Sequence, residues 1–244
     1  MSLVDKPVAI QEPNLHGGTE LPLNLALHAR QYPRTAQNLA YEVLRRSILS
    51  GVLAPNTRLT QIQIASQLSI STTPVREALR RLAGEALVRI DAHRGAIVQG
   101  LDKGELNEIY ELRLLLEPLA ARKAAEKIQA AELNQAEAIC DRMDDHTDPE
   151  TWAQLNRDFH AVFANAAGSP NLTRILEGLR DRAAFYVQWS IATNPEVSVR
   201  ANQEHRQTLE AYRKHDGDMA ASIGTDHLRA TLQAVLSSDL PQMS

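Results

Sequence analysis

Residues 61–82 constrain this chain more than any other stretch, because they read as two short helices joined by a tight turn. On the second of them Val75, Leu79 and Leu82 share one face at helical spacing, while Arg76 and Arg80 share another. Ser71, Thr72 and Thr73 suit the start of that helix, and Pro74 fits a first turn, where its missing N–H costs nothing. Such a helix is buried on one side and presents hydroxyls and guanidiniums at its N-terminal end. That combination suits an element that enters a DNA major groove.

The flanking residues complete a small unit over 34–100. Leu39, Val43, Ile48 and Leu49 give residues 35–50 a helical core face, and Gly51 stops that helix. Two short apolar runs, 86–90 and 96–99, surround a turn that contains Gly95 and predict a β-hairpin. Helix, helix, helix and hairpin make a winged helix-turn-helix, with Arg94 and Gly95 at the tip of the wing. Ahead of it, residues 1–33 carry four prolines, a Gly17-Gly18 pair and no sustained period, so a mostly disordered, flexible tail is expected.

Charge separates this unit from the rest. The whole chain has a net charge of −4, yet residues 34–100 hold nine arginines against four acids and residues 101–244 are strongly acidic. A basic unit joined to an acidic one places phosphate contact in the first. Aromatic residues make up only 4% of the chain, which argues against a nucleic-acid surface built on base stacking. The single Cys140 excludes an internal disulfide framework and fits a reducing cytoplasm. No apolar run approaches the roughly 20 residues of a membrane span, and no signal peptide is evident.

From Asp102 onward the pattern is helical throughout. Six segments are expected, at 103–128, 131–143, 149–167, 171–189, 197–214 and 217–236, and an antiparallel all-helical bundle over 101–238 is the economical arrangement. The first segment carries a broad apolar stripe of Leu106, Ile109, Tyr110, Leu112, Leu116 and Leu119, and Pro118 should kink it. The fold class is therefore mainly α. Three bundle histidines, His160, His205 and His227, can converge from separate helices, and Asn156 shares a face with His160 one turn away. Imidazoles with one oxygen ligand suit Zn²⁺ or Ni²⁺. His93, His146 and His215 fall in turns and read as solvent-facing.

The run Pro74-Val75-Arg76-Glu77-Ala78-Leu79, set between Ile64-Ala65 and the Arg94-Gly95 wing, resembles the DNA-binding domain of GntR-type bacterial regulators over about residues 35–100. The resemblance implies DNA contacts by Arg45, Ser71, Thr72, Thr73, Arg76, Arg80, Arg94 and Gly95. That family usually carries Arg between the Ser and Thr before this Pro, and here the position is Thr72. The interface loses one cation, and the salt dependence of binding should fall by about one counterion.

Residues 102–236 in turn resemble the FadR C-terminal (FCD) effector domain, on Tyr110-Glu111-Leu112-Arg113, Leu116-Glu117-Pro118, Phe159-His160, Glu204-His205-Arg206 and His227-Leu228. Members of that branch bind a divalent metal with Asp or Asn and three His, which implies Asn156, His160, His205 and His227 as ligands. It also implies a small carboxylate effector at an open coordination position. Arg113, projecting from the first bundle helix, is the candidate guanidinium partner for it, with Arg182 and Tyr186 in the same pocket. The alternative for Arg113 is an ion pair with Glu117 one turn on. The expected protein is a homodimeric, ligand-responsive regulator of operator DNA and not an enzyme. The competing reading is a helical His-metal hydrolase or lyase with an accessory DNA-binding domain, and it lacks an evident general base.

Overall fold

A computed structural model describes residues 35–91, 95–145 and 148–238. The tail at 1–33, the wing residues His93 and Arg94, and His146 lie outside the described residues.

Helix α1 (Ala36–Leu49) starts where the Thr35 hydroxyl accepts a hydrogen bond from the Asn38 N–H. Strand β1 (Arg58–Leu59) leads into α2 (Gln61–Leu68) and α3 (Thr72–Gly84), and the turn between the two helices closes on Ser69 in the left-handed region, at φ 54°. Strands β2 (Val88–Asp91) and β3 (Gly95–Val98) follow. The sheet is three-stranded and antiparallel in the order β1-β3-β2, with Leu59 opposite Ala96 and Ile90 opposite Ala96 on the other side. The sequence predicts only the β2–β3 hairpin. A two-residue strand shows no alternation, so β1 carries no periodic signal of its own.

One core holds this unit together. Leu44, Leu53, Leu59, Ile64, Leu79 and Leu82 are fully buried in it, and the apolar face of α3 supplies Val75, Ala78, Leu79 and Leu82.

The bundle consists of α4 (Lys103–Ala125), α5 (Ala130–Asp145), α6 (Pro149–Ala166), α7 (Pro170–Thr193), α8 (Glu196–Arg213) and α9 (Gly217–Ser237), close to the six expected segments. Asp102 and Glu105 form a reciprocal capping box at the start of α4. Asp148 caps α6, and proline opens both α6 and α7. Pro118 lies inside α4 without ending it. Helix α4 packs most extensively on α9 and also touches α6 and α7. Its apolar stripe is narrower than the sequence suggests. Leu106, Ile109 and Tyr110 are buried, whereas Leu112, Leu115 and Leu119 are 42%, 73% and 46% exposed.

Helix α7 reaches from the bundle into the DNA-binding unit. Ala184 belongs to the N-terminal core, and Phe185 lies against Gly51, where a Cβ would stand 3.2 Å from its ring. The Tyr186 hydroxyl accepts from the Leu101 N–H at 2.7 Å and donates to the Leu101 carbonyl at 3.3 Å, so it holds the junction between the two units.

Gly95 serves the sheet. It sits at φ +104°, and a Cβ there would meet the Leu59 carbonyl oxygen at 2.2 Å, a backbone atom that cannot swing aside. Gly95→Ala should therefore destabilise the N-terminal unit by at least about 2 kcal/mol in urea unfolding. A change within a few tenths would show that β1 and β3 are not this close.

Candidate functional site

The N-terminal end of α3 is open to solvent. Ser71, Thr72, Thr73, Arg76 and Arg80 are all exposed, while the opposite face of the helix is buried. Ser71 occupies the N-cap position but its side chain makes no capping bond. Arg76 and Arg80 both approach Glu77, at 3.5 and 3.0 Å, and remain about half exposed or more. Surface pairs of this kind are weak, so both guanidiniums are available to a partner with a stronger field. The described residues thus bring five of the eight expected DNA contacts onto one face.

Arg45 is placed elsewhere. Its guanidinium pairs with Asp181 of α7 and stands 3.9 Å from Glu85. It therefore faces the bundle, and the reading of Arg45 as a phosphate contact is corrected on that ground. Helical periodicity alone does not say which polar face meets solvent and which meets a second domain. Arg157 of α6 adds a further cation near Asp181. Its guanidinium donates to Gln154, and burial pulls its pKa down more than Asp181 raises it.

In the bundle, α6, α8 and α9 bring His160, His205 and His227 together. One ring nitrogen or more of each lies within 4.8 Å of the others, and the ring centroids are 5.0–5.6 Å apart. Phe159 packs 4.5 Å from the His205 ring and Trp152 stacks on it at 6.1 Å, while Phe163 and Tyr212 line the cavity beside the histidines. Burial, with neighbouring positive and imidazole groups, holds the pKa values of His160 and His205 well below their ordinary value. Both rings are therefore neutral at pH 7, the form that binds a metal.

The pattern of unsatisfied atoms is specific. Both His205 nitrogens and the Asn156 side-chain oxygen are buried without a hydrogen-bond partner. Buried polar atoms are normally paired, and an ion bound among these residues would satisfy one His205 nitrogen and the Asn156 oxygen. His227 Nδ1 is 2.6 Å from a Glu204 carboxylate oxygen, which orients the ring and leaves Nε2 for a ligand. The residues present fit a divalent metal.

A second polar group lines the same cavity. Arg180 donates to Glu117 from Nε at 3.2 Å and from a terminal nitrogen at 3.0 Å, a two-pronged contact. Arg113 donates to the same carboxylate at 2.9 Å and lies over the Tyr110 ring. Burial pushes the Glu117 carboxyl up, but the guanidiniums of Arg180 and Arg113 outweigh it and hold it well below the usual carboxylate range. Arg180, Glu117 and the three histidines all line the cavity.

The sequence-based effector set needs revision. Arg113 is buried and engaged by Glu117, the alternative considered for it, and is not among the cavity-lining residues. Arg182 and Tyr186 lie at the junction with the DNA-binding unit, Arg182 3.9 Å from Glu105 and Tyr186 on Leu101. They line a separate small cleft there. Consecutive helix residues point about 100° apart, so the three charges Arg180, Asp181 and Arg182 must face different partners. That run was the available signal for Arg180. His215 is exposed, as expected of its turn, and its Nδ1 also stands 2.7 Å from the Ala125 carbonyl oxygen at the end of α4.

Comparison with known proteins supports the two-unit fold. Residues 108–230 match the FCD domain model and residues 36–98 match the model for bacterial regulatory proteins of the gntR family. The chain belongs to the GntR family, with an FCD domain at its C-terminal side. It is 26% identical over 201 residues to the HTH-type transcriptional repressor RspR of Escherichia coli, covering 80% of this chain and 86% of that one. The gluconate operon transcriptional repressor of Bacillus subtilis is 46% identical over 83 residues, about a third of each chain. The solved structure of E. coli McbR/YncC superposes with a TM-score of 0.77 at 22% identity, covering 84% of this chain and 98% of that one, and shares its fold. This GntR-family chain is a DNA-binding transcriptional regulator. Its family and relatives are regulators, which sets aside the hydrolase or lyase reading.

The Glu117 geometry makes a pH prediction. The folded carboxyl resists protonation, so its contribution is complete above the ordinary glutamate value near 4.3 and is lost as pH falls below it. Urea unfolding at pH 4.5, 4.0 and 3.5 should show Glu117→Gln losing stability less steeply than the parent, by up to about 1.4 kcal/mol per pH unit. Equal slopes would mean that Glu117 is not held ionised.

Proposed function

We propose that this regulator senses a small carboxylate at a divalent metal held by Asn156, His160, His205 and His227, and that it acts as a homodimer on near-palindromic operator DNA in the cytoplasm. The observation that carries this reading is the set of buried, unsatisfied ligand atoms on Asn156 and His205 beside a cavity lined by Arg180. Imidazole-rich sites suit zinc or nickel. When bound, the ion supplies a Lewis-acid position for an anionic oxygen. Asn156 is neutral where a carboxylate is the alternative, so the site holds one negative charge fewer and is the more receptive to an acid. Arg180 offers the guanidinium fork that such an acid needs, in place of Arg113, Arg182 and Tyr186. Neutral His160 and His205 bind without first releasing protons, and Glu204 keeps the His227 ring in orientation.

The dimer reading is supported by Leu112, Leu115 and Leu119, which recur at three- and four-residue spacing on the exposed side of α4, with Ile175 of α7 also 53% exposed. Unpaired leucines in such a row favour a second copy, and two copies place two α3 helices in successive major grooves.

Calorimetric titration with zinc should show His205→Ala losing well over the roughly 10–100-fold that outer partners contribute, with Glu204→Gln inside that range. Unchanged zinc affinity in His205→Ala would remove the metal from the account. With DNA fragments selected by the protein from a genomic pool, Arg76→Ala should weaken binding by about 1–3 kcal/mol and lower the salt slope by about one. Leu115→Glu should sediment as a monomer and bind the same fragments poorly. Full affinity in both variants would contradict the assigned DNA face and dimer.

A further inference from the structure

Helix α7 touches both halves of the molecule through adjacent residues. Arg180 faces the histidine cavity and grips Glu117. Asp181, the next residue, pairs with Arg45 of α1 in the DNA-binding unit. One turn further on, Ala184 is built into that unit's core, and Phe185 and Tyr186 fix Gly51 and Leu101. A helix is stiff over one turn, so a shift at Arg180 is carried to these contacts directly. Helix α6 repeats the arrangement on a smaller scale. Asn156 has its buried oxygen without a partner, and its neighbour Arg157 lies in the field of Asp181.

The Glu117 contacts have the form of a prebuilt exchange. Glu117 is an internal carboxylate that occupies the Arg180 fork at 3.0 and 3.2 Å. Its second partner, Arg113, holds it independently at 2.9 Å. An incoming carboxylate can therefore take Arg180 without leaving Glu117 unpaired in a buried site, which is the costly outcome. A buried pair with one partner on each side has no such route.

We infer that Glu117 is the internal competitor of the effector carboxylate for Arg180, and that the exchange is reported to the DNA-binding unit through α7 by the Asp181–Arg45 ion pair. Arg180 sets the specificity for an acid, and Asp181 is a positioning residue that touches no ligand. The effector part rests on the function proposed above. The mechanical coupling from Arg180 to Arg45 does not, and the two can fail separately.

Amide hydrogen exchange on the full-length chain tests this, with Glu117→Gln standing in for loss of the internal carboxylate and zinc as the only added ligand. Glu117→Gln, and Arg180→Lys as a second variant in case the first is poorly folded, should speed exchange at least about fivefold at Ser50, Gly51 and Leu53. Exchange in α5 (Ala130–Asp145), away from this path, should stay at the parental rate and excludes a general loss of stability. Asp181→Asn should give the same acceleration with zinc affinity unchanged, and the Glu117→Gln/Asp181→Asn double variant should add nothing further. Parental exchange at residues 50–53 in both Glu117→Gln and Arg180→Lys would overturn the coupling, as would fully additive effects in the double variant. Failure of zinc to bind the parent would instead refute the metal-site reading and leave the exchange result to stand on its own.

Discussion

Glu117, a buried carboxylate shared by the two guanidiniums of Arg113 and Arg180, is the contact on which the helical domain around the histidine cavity depends. Its charge would be expensive so far from water if it were unpaired. Two partners from two helices make it tolerable, and they tie α4 to α7 at the level of the histidine cavity. The same pairing keeps a guanidinium at the cavity wall in the state that an acid requires. Remove the carboxylate and Arg180 is a buried cation in search of an anion. The chemistry of the cavity and the packing of the bundle are thus one arrangement.

The second constraint is the length of α7. It runs from Pro170 to Thr193, long enough to present Arg180 to the cavity and still lodge Ala184 in the core of the DNA-binding unit. The DNA-binding unit is therefore seated on the bundle by apolar packing, by the tyrosine hydroxyl at Leu101 and by an ion pair at Arg45. The ion pair is the part of this seat most easily altered. Burial pushes the Asp181 carboxyl up more than Arg45 pulls it down, so the attraction does not fully offset the loss of solvent.

Much of this was legible in the residues. The apolar spacing of Val75, Leu79 and Leu82 placed the α3 core face, and caps and prolines such as Asp102, Pro149 and Pro170 marked the helix starts within a residue or two. The three histidines could be singled out because a bundle can bring separate helices together, and motif resemblance chose among the possible sets. What periodicity could not supply was the choice among faces. Leu112 and Leu119 read as core in the sequence, since an apolar residue reads the same whether it faces its own bundle or solvent. Arg45 reads as a DNA contact in the sequence, since a cation on a basic unit reads the same whether it meets phosphate or Asp181. Arg113, Arg182 and Tyr186 read as effector partners in the sequence and Arg180 does not stand out from it, for the same reason. Which of several polar side chains enters a cavity depends on tertiary contacts between helices far apart in sequence.

Under the inferred coupling, the histidine cavity and the DNA-binding face form one linked system. Linkage is reciprocal, so whatever changes at one site must be felt at the other by the same factor. The direct measurement is the zinc dissociation constant of the full-length protein, free and saturated with a DNA fragment it has itself selected. A linked system predicts constants that differ by about fivefold or more, a coupling of about 1 kcal/mol. Identical constants would contradict it.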